Sequence, residues 1–149
     1  MISTGRTMKN AKVVYRKISH KMYKLQDVIL ALIRFWMAKV FFLSGLTKIS
    51  HWDSTLLLFE YEYAVPFLSV TFAALSATFF ELVMPVFIAL GLLTRLAALP
   101  LLVITAVIEF TYGSFSEHIY WALMLGLLIT GGAGRFALDR RFKLEGIND

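Results

Sequence analysis

The stretch FFELVMPVF, residues 79–87, places a carboxylic acid, Glu81, near the middle of an apolar run that extends from Ala64 to Leu93. A hydrocarbon core of about 30 Å takes about 20 residues of helix to cross. The fold therefore turns on whether Glu81 interrupts a soluble core or lies inside a membrane. Three more segments favour the membrane: Val28 to Ile49, Leu96 to Tyr112 and His118 to Gly132 are also apolar, and with Phe67 to Leu93 they use up most of the 149 residues. At 58% hydrophobic and 17% charged residues, the chain departs from the balance of a soluble domain. The expected fold is all-α: an integral membrane four-helix bundle over residues 27–139, with basic tails at 1–26 and 140–149.

The net charge of +5 is distributed by side of the membrane. Arg6, Lys9, Lys12, Arg16, Lys17, Lys21 and Lys24 precede the first span. The segment from Ser50 to Pro66 carries Asp53, Glu60 and Glu62 and no Lys or Arg. Arg95 sits in the turn between spans two and three, Glu117 in the next connection, and Arg135, Arg140, Arg141 and Lys143 follow the last span. Excess Lys and Arg mark the cytoplasmic side, so both termini and the Arg95 turn are expected inside and the two acidic connections outside. Without an aromatic-interleaved basic motif, nucleic acid is not an expected partner; the lipid bilayer is. Val14, Ile18, Met22 and Leu25 recur at helical spacing among the bases of the N-terminal tail, the pattern of a helix on an anionic membrane surface. No cysteine is present, which removes thiol redox chemistry, iron–sulfur clusters and Cys-ligated zinc.

Inside the spans the charges are few. Arg34, Gly45 and Lys48 fall on one narrow helical stripe of span one, whereas Lys39 lies round toward another face. Glu81 lies roughly 18 Å from the cytoplasmic end of span two and Arg34 roughly 9 Å, at 1.5 Å per residue. An Arg34–Glu81 pair is the expectation, since an isolated charge at mid-depth costs on the order of 3 kcal/mol. Pro85, four residues after Glu81, disturbs the helix beside the acid and points to a polar cavity there. Two roles stand open for such a pair: a ligand site or glue between helices. A second group, Lys48, Glu109, His118 and Trp121, with His51 and Tyr112, gathers at the outer ends of the spans, where Trp, Tyr and His also mark the interface. His51 and His118 sit at helix ends rather than facing one another mid-bundle, which argues against a haem.

Several stretches together resemble the DoxX family: FFLSGLTK ending on Lys48, AVPFL at 64–68, ELVMPVFIALGLLTRLAALPL at 81–101, EHIYWALML at 117–125 and GRFALD ending on Asp139. The resemblance implies a four-helix protein of the bacterial inner membrane, related to small subunits of a terminal quinol oxidase and of thiosulfate:quinone oxidoreductase. Its pattern falls on Arg34, Gly45, Lys48, Glu81, Pro85, Gly91, Arg95, His118, Trp121 and Asp139. Of these, Gly45, Pro85, Gly91, Arg95 and Asp139 read as structural; Arg34, Lys48, Glu81, His118 and Trp121, with Glu109, read as the polar interior.

The function expected from these features is an accessory redox-associated subunit, binding a quinone in an apolar slot with a few hydrogen-bonding groups or docking a catalytic redox partner. No flavin, nicotinamide or metal motif is present, so an autonomous enzyme is the weaker reading. Two alternatives belong to other classes: a small transporter or channel using Arg34 and Glu81, which four spans would form only as a homo-oligomer, and a membrane scaffold without chemistry.

Overall fold

The computed structural model describes residues 3–63, 65–111, 116–134 and 137–141. Ala64, Tyr112, Arg135 and Lys143 lie outside them. The chain forms α1 (Ser3–Ser50), α2 (Trp52–Leu57), a π-helical segment (Leu58–Tyr63), α3 (Val70–Leu90), α4 (Thr94–Thr111), α5 (Ser116–Gly131) and the short α6 (Leu138–Arg141). Among the described residues there is no strand, and the protein is an all-α membrane bundle. α1 from Lys12, α3 and α4 are each long and apolar enough to cross a bilayer. α5, at 16 residues, is about 24 Å long at 1.5 Å per residue.

α1 packs on α3 and α5, and α4 packs on the same two helices from the other side, so the four long helices close into a ring. Leu30, Met37, Ala38 and Phe41 of α1 meet Ile88 of α3, Ala97, Ala98 and Leu101 of α4, and Leu125 and Leu128 of α5 in the core. Small side chains recur at these contacts, as they do where helices pack in lipid without a hydrophobic driving force. Polar and charged side chains are buried beside this apolar core, and large apolar ones face outward. Arg34, Lys48, Glu81, Thr78, Thr94 and Thr105 are buried, while Leu32, Phe35, Trp36, Phe72, Leu75, Phe79, Leu96, Val103 and Leu123 point outward. Large exposed apolar surface around a polar interior is what a bilayer solvates and water does not.

The acidic segment after the first span, expected as a loop, is helical up to Tyr63. α1 ends at Ser50, and His51 takes a non-helical conformation (φ −129°, ψ 57°) before α2 begins. Thr55 Oγ1 donates to the carbonyls of Lys48 and His51 at 3.1 and 3.0 Å, and the His51 carbonyl also accepts the Thr55 N–H at 2.9 Å, which bridges the break. Phe59 and Tyr63 stack edge to face at 4.9 Å and are buried against Ala73, Ala74 and Ala77 of α3, which holds the π-helical segment over the bundle. α3 then starts at Val70, later than Phe67, because Pro66 and Phe67 (φ +67°) turn the chain first.

The α3–α4 turn is tied down at several points. Gly91 (φ +67°) ends α3 in the left-handed region, with its N–H on Ile88 O and the Leu92 N–H on Phe87 O. Asp139 accepts from the backbone N–H groups of Leu93 and Thr94, capping α4 from a residue far along the chain. Its own N–H returns to Gly91 O at 2.8 Å.

Candidate functional site: a buried ion pair at a lipid-side cavity

Lys48 lies in the last turn of α1, where a cation also complements the carbonyl end of the helix. Its Nζ donates to Glu81 Oε2 at 2.7 Å and to Ser44 Oγ at 2.9 Å. Both partners of the pair are buried, Lys48 at 7% and Glu81 at 1% exposure. Gly45 is what allows the approach. A Cβ built there would stand 2.9 Å from Leu82 Cγ and 3.2 Å from the carbonyl carbon of Glu81, so α1 and α3 touch through backbone at this level. Pro85, buried in α3, has no N–H to offer the Glu81 carbonyl four residues back.

The pair lines a cavity of about 310 Å³ between α3 and α4. Ala73, Ala77 and Phe80 of α3 face Pro100, Val103, Ile104, Val107 and Ile108 of α4, while Phe59 and Tyr63 form the roof. Among the described residues, Lys48 and Glu81 are the charged members of this lining; Val103, 60% exposed, stands at the outward edge. The arrangement is a mostly apolar slot whose polar members are the Lys48–Glu81 pair, Tyr63 and Ser76.

The expected Arg34–Glu81 pair is not formed. Arg34 sends Nε to Ile88 O (2.9 Å), Nη2 to Ala89 O (2.8 Å) and Nη1 to Ala133 O (2.9 Å), so the guanidinium clamps the end of α3 to the segment after α5. Side chains lean toward the N-terminus of their own helix. In antiparallel helices Lys48 and Glu81 therefore lean toward one another, and Arg34 and Glu81 lean apart. The carbonyls at the end of α3, at the level of Arg34, then suit a planar fork of donors.

Nor do Glu109, His118 and Trp121 share a pocket with Lys48. Glu109 follows Val107 and Ile108 of the cavity wall but is turned off that face. Its Oε2 lies 3.0 Å from His118 Nδ1, the His118 ring is 5.2 Å from Trp121, and Trp121 meets Phe41 edge-on at 6.0 Å. These residues form a separate cluster joining α4, α5 and α1. Gly91 is crowded: a Cβ there would fall 2.6 Å from Ala137 Cβ and 2.8 Å from Arg34 Cζ. Arg95 is exposed in the first turn of α4.

Sequence reasoning missed Ser44, Phe59 and Tyr63 as members of the site. Ser44 was recoverable from its spacing, one turn before Lys48 on the same face. The two aromatics belong to a segment whose three acids masked its apolar side.

No curated protein and no solved structure matches the chain. A family model, DoxX, does match it over residues 29–114, which includes Arg34, Gly45, Lys48, Glu81, Pro85, Gly91 and Arg95 and leaves His118, Trp121 and Asp139 beyond its end. That match covers more than half of the sequence, and the chain belongs to the DoxX family.

Proposed function

We propose that this protein is a multi-pass subunit of the bacterial inner membrane, with both termini in the cytoplasm, that binds a quinone between α3 and α4 and serves a redox partner protein. The observation that carries the reading is the apolar cavity of about 310 Å³ ending on the buried Lys48–Glu81 pair. Small-molecule sites are concave and mostly apolar, from about 300 Å³ upward, with a few polar groups that set orientation. An ion pair is neutral as a whole, so it favours an uncharged headgroup. The Lys48 ammonium offers donors to a headgroup carbonyl, and the Glu81 carboxylate accepts from a headgroup hydroxyl, which suits both redox forms of a quinone. The bound quinone supplies two-electron chemistry; the chain's own part is to bind, orient and keep water from the apolar walls. Electrons come from or go to the partner, since the sequence holds no flavin, nicotinamide or metal motif.

The test is binding by the purified full chain in detergent. A benzoquinone with a ten-carbon tail should raise the unfolding temperature of the wild type, because a ligand that binds only the folded state stabilises it. Lys48→Met combined with Glu81→Leu should remain folded and lose the shift. The reading fails if the wild type shows no shift and its organic extract contains no quinone.

A further inference from the structure

The surface of α1 and α2 holds a second and different recess that also reaches Lys48. This groove, about 400 Å³, is lined by Ser44, Thr47, Lys48, His51, Ser54, Thr55 and Leu58. Its lining is hydroxyl-rich, unlike the apolar cavity, and it lies at the break between α1 and α2. Thr47, His51 and Ser54 are exposed along it. Lys48 is the residue that lines both recesses, and its Nζ donates to Glu81 Oε2 at 2.7 Å, a member of the cavity lining, and to Ser44 Oγ at 2.9 Å, a member of the groove lining.

We propose that the groove is a water-filled proton port, through which the Lys48–Glu81 pair exchanges protons with the aqueous phase on the side of the α1–α2 break. The hydroxyls that line it donate to backbone carbonyls, Thr47 to Leu43 and Thr55 to Lys48 and His51, and each oxygen keeps acceptor capacity for water. Around the pair, the titratable groups are Tyr63 from the π-helical segment, on the cavity side, and His51, on the groove side; α4 contributes none to the lining. As the redox partner withdraws electrons from a hydroxyl-bearing headgroup in the cavity, Glu81 takes a proton that the headgroup releases, the Lys48 ammonium gives one to groove water by way of the Ser44 hydroxyl, and the resulting amine recovers a proton from Glu81. The groups end as they began, and one proton has passed from cavity to groove. The source of that proton rests on the proposed quinone site; the wetness of the groove does not.

The absence of cysteine from the sequence makes a direct test available. Single variants Ser44→Cys, Ser54→Cys and Phe80→Cys of the full chain, in liposomes, are exposed to a charged, membrane-impermeant methanethiosulfonate. Ser54→Cys reports the mouth of the groove, Ser44→Cys its depth and Phe80→Cys the cavity. The thiolate, which forms in water and not in apolar surroundings, attacks such reagents and displaces sulfinate, so Ser44→Cys should label within about tenfold of the rate of Ser54→Cys while Phe80→Cys stays unlabelled. Labelling should come from the side opposite residues 1–26. The port is overturned if Ser44→Cys, shown to be folded by its unfolding transition, reacts only after denaturation, or only from the side of the basic tail. Quinone binding is measured in parallel on the wild type. A labelled Ser44→Cys beside a wild type that binds no quinone keeps the port and removes the quinone reading.

Discussion

Gly45 and Leu82 meet with no room for another carbon: a Cβ on Gly45 would lie 2.9 Å from Leu82 Cγ and 3.0 Å from its Cδ2. This contact sets the separation of α1 and α3 at the level where Lys48 reaches Glu81. Gly45→Val should push the helices apart, and overpacking of this kind costs about 1–3 kcal/mol. The expected results are a lower unfolding temperature in detergent and weakened quinone binding. An unchanged transition would show that the helices slide past one another freely and that the close approach is not what holds the pair.

The Lys48–Glu81 pair is best tested as a cycle. Lys48→Met alone leaves a buried carboxylate, and Glu81→Leu alone a buried ammonium; breaking a buried pair on one side costs about 3–5 kcal/mol. The double variant removes both charges and should recover most of that loss. Chemical unfolding of the four proteins gives the coupling energy, and additivity of the two single effects would mean that the charges do not depend on one another.

Much of the fold was legible in the sequence because hydropathy and charge asymmetry act over whole segments. The apolar stretches gave the helices of the bundle, and Arg95 marked the turn between its second and third spans. The site was legible in its parts rather than in its pairing. Arg34, Lys48 and Glu81 stand out as charges in apolar surroundings, and Arg34, Gly45 and Lys48 share a stripe. Depth counted along the helices matched Glu81 with Arg34, whereas the direction in which side chains lean matches it with Lys48. The roof of the cavity was hidden for another reason. Asp53, Glu60 and Glu62 made the segment after α1 read as a solvated loop, although Phe59 and Tyr63 between them face α3.

Arg34 should be far less tolerant of Lys than its charge suggests. Three carbonyls, of Ile88, Ala89 and Ala133, receive three different nitrogens of one planar group. A Lys at this position offers donors from a single nitrogen and cannot span them. Hydrogen bonds to charged groups contribute about 1.5–3 kcal/mol each, so Arg34→Met should reduce folded yield sharply and Arg34→Lys should fall between it and the wild type. Yield of monodisperse protein after extraction is the measurement; equal yields for Arg34→Lys and wild type would contradict the role of the fork.

Asp139 acts as the N-cap that α4 lacks locally. Asp139→Ala should cost about 0.5–2 kcal/mol, the usual range for loss of a cap. Asp139→Asn, which keeps one acceptor oxygen, should lose less. Hydrogen exchange at the amides of Leu93 and Thr94 should quicken in Asp139→Ala, with the middle of α4 little affected. If exchange there is unchanged, the carboxylate is not what protects those amides.

The tight coupling of Lys48 to Glu81 also has an electrical consequence. Across a membrane held at 100 mV, one elementary charge carried through the full potential is worth about 2.3 kcal/mol. Opposite charges held 2.7 Å apart present a short dipole to that field in place of a net charge. For the proposed quinone, itself uncharged, entry beside this pair would then take no work against the membrane voltage, and its binding should follow its concentration in the lipid.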